Sequence, residues 1–216
     1  MIYDIFRTIG LILGFPLQLL FFKRRTFYED KSSTDLFHGG RLIITNHFNM
    51  FDYVLTSFVV CPRKLNVVAS EMPFKSAFFR FGMKFFGAIQ ANRETRDMRF
   101  MDVCADVIKK GQLVQIYPEG RNTPDGKIHE FKKSYIVIAH RAGAPIVPVI
   151  TDGNYGIFKR ASVMIGKEIN VSDYITTDRP TPSREELDRV NDIIYNKALE
   201  LREELEIRKN KSRREK

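Results

Sequence analysis

The fold is decided by residues 42–52, LIITNHFNMFD, which predict a buried strand, a turn and the start of a helix. The apolar run Leu42-Ile43-Ile44 is typical of a strand, and it is entered from the turn residues Gly39-Gly40. The apolar segment from Tyr53 to Val60 is long enough for about two helical turns. Asn49 is a good cap for this helix, which would make Asp52 the third helical residue.

His47 and Asp52 are the two side chains of this stretch that can do chemistry together. On a regular helix their spacing would put them about 140° apart, so they would not meet. They meet if His47 lies in the turn and Asp52 lies in the first turn of the helix. A carboxylate beside the imidazole would fix its tautomer and stabilise its cation, as a general base requires. The alternative is a helix cap next to a histidine that only packs.

Composition restricts the class of protein. The chain has 216 residues, 44% of them hydrophobic, which is enough for one large folded domain and excludes a disordered chain. The formal net charge of +9 indicates an anionic partner, namely a membrane surface, a phosphorylated substrate or a nucleic acid. Cys61 and Cys104 form neither a disulfide framework nor a CxxC motif, which fits a reducing cytosolic setting.

The two ends of the chain differ from its middle. Residues 1–25 form an apolar segment interrupted at Pro16 and closed by Lys23-Arg24-Arg25, so we expect an interfacial membrane anchor whose basic cluster touches anionic headgroups. A buried N-terminal helix is the alternative. Residues 26–207 are expected to form the main domain, and residues 208–216 a frayed, charged tail.

Strands and helices alternate between the two ends, which predicts an α/β fold with a layered sheet flanked by helices. In such sheets ligands bind beyond the carboxyl ends of the strands. Polar residues follow three predicted strands. These residues are His47 with Asp52, Arg93, and Glu119 with Arg121. We place the strand before Arg93 next to the strand before Glu119 and expect all five side chains to converge.

Several kinds of chemistry are not supported by the motifs. The chain has no G-x-S-x-G and no cysteine in a thiolate-favouring context, which argues against a covalent acyl-enzyme. It has no HExxH, no Cys/His ligand cluster, no G-x-G-x-x-G and no P-loop. The chemistry that remains is a general base that deprotonates a substrate hydroxyl. Arg93 and Arg121 would bind a phosphate, and Glu119 would orient the substrate.

Four blocks of the chain resemble, in order, those of the glycerolphosphate/lysophospholipid acyltransferase family. They are the His47-x4-Asp52 block, residues 87–93, Tyr117-Pro118-Glu119-Gly120 and Ile146-Val147-Pro148-Val149. The resemblance extends over residues 41–170.

This resemblance implies transfer of a fatty acyl group from a thioester, acyl-CoA or acyl-carrier protein, to a hydroxyl of a glycerol 3-phosphate-type acceptor. The first acceptor to expect is 1-acylglycerol 3-phosphate, which would give phosphatidic acid in phospholipid biosynthesis. His47 would be the base and Asp52 its orienting partner, while Arg93 and Glu119 would bind the acceptor. The resemblance also implies attachment to the cytoplasmic face of a membrane. We expect no metal, no other cofactor and no nucleic acid.

One block departs from the family pattern. The family usually reads Pro-Glu-Gly-Thr-Arg, whereas here Arg121 directly follows Gly120. We therefore expect Gly120 and Arg121 to complete the acceptor site only if the loop to Pro124 absorbs the one-residue shift.

Two rival functions stay open at the level of sequence. One is a non-enzymatic basic protein that binds lipid or nucleic acid, although stacking on bases would need aromatic residues alternating with cations along an exposed strand. The other is a thioesterase with water as the acceptor, which would leave the two arginines without a phosphate to bind.

Overall fold

The computed structural model describes residues 2–32, 36, 38–70, 77–91 and 98–214. Within these ranges the strands are β1 Arg25–Tyr28, β2 Arg41–Thr45, β3 Leu65–Ser70, β4 Ala88–Ala91, β5 Leu113–Ile116, β6 Ile146–Thr151 and β7 Ser162–Ile165. The helices are α1 Ile2–Phe22, α2 Asp52–Val59, α3 Ala77–Phe85, α4 Arg99–Lys109, α5 Ser134–Ala142 and α6 Arg184–Arg214, and a 3₁₀ turn covers Val171–Asp173.

The strands form one seven-stranded sheet in the order β1-β7-β6-β2-β5-β3-β4. Neighbouring strands are parallel except for β6 and β7, which are antiparallel. β2 lies at the centre, with Leu42 opposite Val114 of β5 on one side and Ile146 of β6 on the other. The predicted α/β layered sheet is confirmed, and the carboxyl ends of β2, β5 and β6 meet at one edge.

Helices cover both faces of the sheet because side chains alternate along each strand. Ile43, Val147 and Val163 point toward the layer that contains α1 and α2. Leu42 and Ile44 point toward the layer that contains α4, α5 and α6. The side chains that point toward either helical layer are fully buried, as expected for a mostly parallel sheet.

Helix α1 runs unbroken through Pro16, so the expected interruption there is wrong. Both of its ends contact the domain. Near the start, the Arg7 guanidinium donates to the carbonyl of Leu65 (2.6 Å), and at the end the Phe22 ring packs edge-on against Tyr155 with centroids 5.3 Å apart. These contacts lay α1 along the domain, and they maintain the helix despite the backbone hydrogen bond that proline removes.

Most of α1 is exposed nevertheless. Only 11% of the segment Ile5–Phe22 is buried, which contradicts the alternative of a buried helix. By length and composition alone this segment is apolar enough to cross a membrane. Of the basic cluster that follows, Lys23 is exposed, but Arg24 and Arg25 are half-buried and Arg25 begins β1. The expectation that this cluster touches anionic headgroups remains a prediction, and Lys23 is its most exposed member.

The C-terminal segment differs from its prediction. The Ser183/Glu186 capping box forms, with Ser183 N–H donating to Glu186 Oε2 (2.9 Å) and Glu186 N–H donating to Ser183 Oγ (3.2 Å). The helix that it starts continues to Arg214, so residues 208–214 are not a frayed tail. Arg208 donates to the carbonyl of Tyr28 (2.9 Å), which ties this end of α6 to the edge strand β1.

Candidate active site

His47 and Asp52 meet as their spacing predicted. β2 ends at Thr45, the chain turns, and His47 Nδ1 lies 3.2 Å from Asp52 Oδ2. Asn49 Oδ1 accepts the N–H of Phe51 (3.1 Å), and Asp52 Oδ2 accepts the N–H of Asn49 (2.7 Å). Asn49 therefore forms a local turn rather than a helix cap, because the N-cap of α2 is Phe51 and has no side-chain cap bond. The prediction that Asn49 caps the helix and that Asp52 is its third residue is wrong. The regular helix begins only at Asp52, because the residues between form a turn.

The Asp52 carboxylate is fully buried and surrounded by donors. Its Oδ1 accepts the hydroxyl of Tyr155 and, at 3.4 Å, that of Thr151. Burial, and then the charge of Asp52, hold the pKa of Tyr155 well above its ordinary value, so the phenol keeps its proton and donates it. A carboxylate fixed in this way accepts from His47 Nδ1–H, which leaves Nε2 of the imidazole free to accept a proton.

The backbone and ring of His47 are held from the other side by the loop that follows β5. The Tyr117 ring stacks on the imidazole with centroids 4.0 Å apart and planes 17° apart. Glu119 Oε1 accepts the N–H of His47 (3.1 Å). Thr123 donates its N–H (2.7 Å) to the carbonyl of His47, and its hydroxyl oxygen lies 3.1 Å from the same carbonyl oxygen. His47 is thus fixed at both peptide groups while its side chain stays 23% exposed.

Glu119 occupies a different environment from the acceptor-binding one that the resemblance implies. The residue is only 4% exposed, and its Oε2 accepts the hydroxyl of Thr123 (2.9 Å) and the N–H of His129 (3.0 Å). Both carboxylate oxygens accept hydrogen bonds within the protein, so Glu119 orders the loop and His47. Its contact with the acceptor remains a prediction.

Gly120 forms the turn that brings Glu119 inward. Its φ is +67°, and its N–H donates to the carbonyl of Tyr117 (2.9 Å). A Cβ at this position would lie 3.0 Å from Cε and Nζ of Lys132. The positive φ therefore favours glycine here, while the flexible Lys132 side chain could move away from a Cβ.

Of the two arginines predicted to bind phosphate, the structure describes one. Arg121 is exposed in the loop after Gly120. Arg93 lies outside the described residues, but β4, the strand that precedes it, is at the edge of the sheet and is separated from β5 by β3. The prediction that β4 neighbours β5 is wrong, and its end is about 10 Å from that of β5, two strand spacings away.

A cavity of about 520 Å³ lies between α1 and α2, and its walls are almost entirely apolar. Phe51 and Tyr53, the two neighbours of Asp52 in the chain, both line it. The Phe58 ring of α2 packs against Gly14 of α1, where a Cβ would lie 3.0 Å from Phe58 Cζ. The volume is in the range of small-ligand sites.

Sequence reasoning missed the residues that support the dyad. Thr151 ends β6, so the rule that ligands gather at carboxyl ends could have found it. Tyr155 lies in the irregular segment after β6 and carries no periodic signal. The described part of the chain holds no group of three or more His, Cys, Asp or Glu that could bind a metal ion. The prediction that no metal or other cofactor takes part remains a prediction.

We expect Tyr155→Phe to lower kcat about 10-fold while preserving the fold. The change removes one hydrogen bond to a buried carboxylate, which is worth roughly 1.5–3 kcal/mol, but keeps the ring that contacts Phe22. Steady-state kinetics would measure the effect. Tyr195→Phe is the matched control, because the Tyr195 hydroxyl donates only to the carbonyl of Ile128 (3.4 Å). Equal rates for the two variants would contradict a role for Tyr155 in orienting Asp52.

Comparison with known proteins identifies the family. The family model described as acyltransferase matches residues 24–152, which is more than half of the chain and includes His47, Asp52 and Glu119. The chain belongs to the acyltransferase family. The predicted family resemblance is confirmed.

Relatives of this acyltransferase carry consistent names. It is 31% identical over 115 residues to a putative 1-acyl-sn-glycerol-3-phosphate acyltransferase of Caenorhabditis elegans, covering 52% of this chain but only 40% of that one. It is 22% identical over 173 residues to the 1-acyl-sn-glycerol-3-phosphate acyltransferase of Bacillus subtilis, covering 78% of this chain and 84% of that one.

A solved structure shares the fold of this acyltransferase. The 1-acyl-sn-glycerophosphate acyltransferase PlsC of Thermotoga maritima superposes with a TM-score of 0.59 at 19% identity, covering 92% of this chain and 78% of that one. The likeness extends through most of the elements described above, and at this identity it shows the fold alone.

Proposed function

We propose that this acyltransferase moves a fatty acyl group from a thioester to the free hydroxyl of 1-acylglycerol 3-phosphate, giving phosphatidic acid for phospholipid biosynthesis. The observation that carries the proposal is the contact between His47 Nδ1 and the buried, fully bonded Asp52 carboxylate. The names of the relatives support the choice of acceptor. Either acyl-CoA or acyl-carrier protein would serve as the donor.

His47 acts as the general base in this reaction. Its Nε2 takes the proton of the acceptor hydroxyl as the hydroxyl oxygen attacks the thioester carbonyl carbon. Asp52 stabilises the imidazolium that forms, without taking the proton itself. When the tetrahedral intermediate collapses, the carbon–sulfur bond breaks and the imidazolium returns its proton to the leaving thiolate. The ester and the free thiol are the products.

The apolar cavity between α1 and α2 would hold an acyl chain. Phe51 and Tyr53, the residues before and after Asp52 in the chain, line it, and a chain bound there would extend its reacting end from these residues toward His47. Burying apolar carbons there contributes about 0.8 kcal/mol per CH₂. This gain would orient the thioester or the acceptor toward His47.

Arg121 would bind the phosphate of the acceptor. Its guanidinium is exposed two residues after Glu119, which binds the peptide N–H of His47. Glu119 then acts by holding His47 rather than by binding the acceptor. Gly120 forms the turn between Glu119 and Arg121. Arg93 stays a predicted second phosphate ligand, and its distance from the base is a matter for experiment.

We expect Arg121→Ala to lower kcat/KM for the acceptor about 10- to 150-fold and to leave the KM for the acyl donor nearly unchanged. A charge-assisted hydrogen bond to phosphate is worth roughly 1.5–3 kcal/mol. Arg121→Lys should restore only part of the activity, since an ammonium lacks the bidentate fork. Arg179→Ala, an exposed arginine in the loop before α6, is the control. An unchanged acceptor kcat/KM would assign phosphate binding elsewhere.

Membrane attachment on the cytoplasmic face completes the proposal, because both the acceptor and the product are lipids. α1 supports it with an exposed apolar side that includes Ile12, Leu13 and Leu17, each more than 60% exposed. A bilayer that contains anionic lipid would bury these side chains and attract Lys23.

The test is transfer by the purified full chain from a labelled acyl donor. Both acyl-CoA and acyl-carrier protein would be supplied, with a panel of acceptors that contains glycerol 3-phosphate, 1-acylglycerol 3-phosphate and neutral lysophospholipids. We expect label in phosphatidic acid. Release of free fatty acid at the same rate with and without acceptor would establish a thioesterase instead, and no turnover of either donor would contradict an enzymatic role.

A further inference from the structure

The turn formed by residues 156–160 presents two large apolar side chains to solvent. Lys159 N–H donates to the carbonyl of Gly156 (2.9 Å), which closes a β-turn with Ile157 and Phe158 at its tip. Ile157 is 50% exposed and Phe158 is 99% exposed. A phenylalanine with no contact surface contributes nothing to the stability of the domain, so its presence at a turn tip requires another explanation.

The same turn is fixed to the end of α1. Gly156 N–H donates to the carbonyl of Phe21 (3.2 Å), and Ala161 N–H donates to that of Phe22 (2.8 Å). These two bonds satisfy carbonyls that the end of a helix leaves unpaired. The turn is therefore joined to the end of α1, so Phe158 and the end of α1 lie close to one another on the surface.

The apolar surface around the turn is continuous with the rim of the cavity. Leu17 and Leu20 of α1, Phe51 and Ile157 all line the cavity and are all at least 40% exposed on the outside. Phe158 extends this surface beyond the rim. Exposed apolar surface of this kind, in contrast to scattered single residues, indicates an interaction site.

Three cations lie next to this apolar surface. Lys159 and Arg160 follow Phe158 directly, and Lys23 follows α1, and all three are exposed. Apolar side chains beside exposed lysine and arginine are the signature of a surface that enters the headgroup region of an anionic bilayer. A protein partner with an apolar face would not need the cations.

We propose that the 156–160 turn is a second membrane-docking element, which inserts Ile157 and Phe158 into the lipid interface beside α1 while Lys159 and Arg160 contact anionic headgroups. This docking presses the rim of the cavity against the bilayer. The inference goes beyond the proposed acyl transfer and rests on it only for the attachment of α1, and lipid binding can be measured without turnover.

The chain contains no tryptophan, which allows a direct test. Each of three full-length variants, Phe158→Trp, Leu13→Trp and Ile207→Trp, would carry a single fluorescent reporter. Leu13 lies on the exposed side of α1, and Ile207 is 61% exposed on α6, in the opposite layer. Emission would be recorded with vesicles of phosphatidylcholine and phosphatidylglycerol, with and without nitroxide-labelled lipid as a quencher.

We expect blue-shifted, lipid-quenched emission from Phe158→Trp and Leu13→Trp, and neither change from Ile207→Trp. Quenching at Leu13→Trp without quenching at Phe158→Trp would overturn the docking role of the turn and leave the attachment of α1 intact. A blue shift of Phe158→Trp that depends on protein concentration and needs no lipid would overturn it in favour of a second copy of the chain.

The cations are tested separately. Lys159→Gln with Arg160→Gln should weaken partition to the phosphatidylglycerol vesicles about 10-fold or more, since each cation near an anionic surface contributes appreciably to binding. Lys109→Gln with Lys110→Gln, at the end of α4 in the opposite layer, changes net charge equally and serves as the control. Equal losses for the two pairs would show that net charge, and not this turn, determines the affinity.

Discussion

Replacing His47 with alanine is expected to lower acyl transfer at least 100-fold, the usual scale for a lost general base. The substitution removes the group that takes the hydroxyl proton and leaves the buried Asp52 carboxylate with its donors from Asn49, Thr151 and Tyr155. Glu119 and Thr123 contact only the backbone of His47, so the loop should keep its conformation. Single-turnover rates with saturating donor and acceptor would measure the chemical step.

His140→Ala is the matched control for this variant. His140 sits at the end of α5, where its Nε2 contacts the carbonyl of Arg179 at 2.9 Å. We expect its turnover to equal that of the parent protein. A His47→Ala variant with a native circular dichroism spectrum and near-normal turnover would show that another group, or water, takes the proton.

Asp52→Asn is expected to lower kcat by about 10²- to 10⁴-fold, since a similar substitution in a catalytic triad acts through the histidine tautomer. An amide NH₂ turned toward His47 would favour the tautomer with its proton on Nε2, where the base must accept one. The same NH₂ would also face the N–H of Asn49, a donor that now binds Asp52 Oδ2 at 2.7 Å. Both effects disable the base without changing the size of the side chain.

The chain offers a second His–Asp pair as the control for this variant. His129 Nε2 lies 2.8 Å from Asp125 Oδ2 in an exposed loop. Asp125→Asn replaces a carboxylate that contacts a histidine outside the dyad by an amide, and we expect it to leave kcat unaffected. The KM for both substrates should change little in Asp52→Asn, so a loss confined to KM would contradict an orienting role for Asp52.

The sequence predicts the dyad well because its geometry is local. His47 and Asp52 are joined by a turn of four residues, and the bonds that Asn49 makes to Phe51 and Asp52 hold this turn without help from distant parts of the chain. The alternation of apolar runs likewise predicts the layered sheet, because each run must be buried between two helical layers.

The support for the dyad depends on contacts that no local pattern contains. Tyr155 reaches Asp52 from 103 positions away, out of a segment with no regular structure. Strand order is equally invisible, since nothing in the β4 segment distinguishes an edge strand from a neighbour of β5. The charged residues after 207 continue the helix, and ion pairs of Arg208 with Glu204 and of Lys209 with Glu206 (2.8 Å) link them to the preceding turn.

The pairing of β1 with β7 sets an order of events while the chain is being made. β1 finds its strand partner only when Ser162–Ile165 has been synthesised, more than 130 residues later. At 5–20 residues per second, this delay lasts roughly 7–27 seconds. During that time the apolar α1 precedes a strand that has no partner, and Tyr155, which later packs on Phe22, has yet to be made for most of it. The nascent chain can therefore meet the lipid surface through α1 before its catalytic domain is complete.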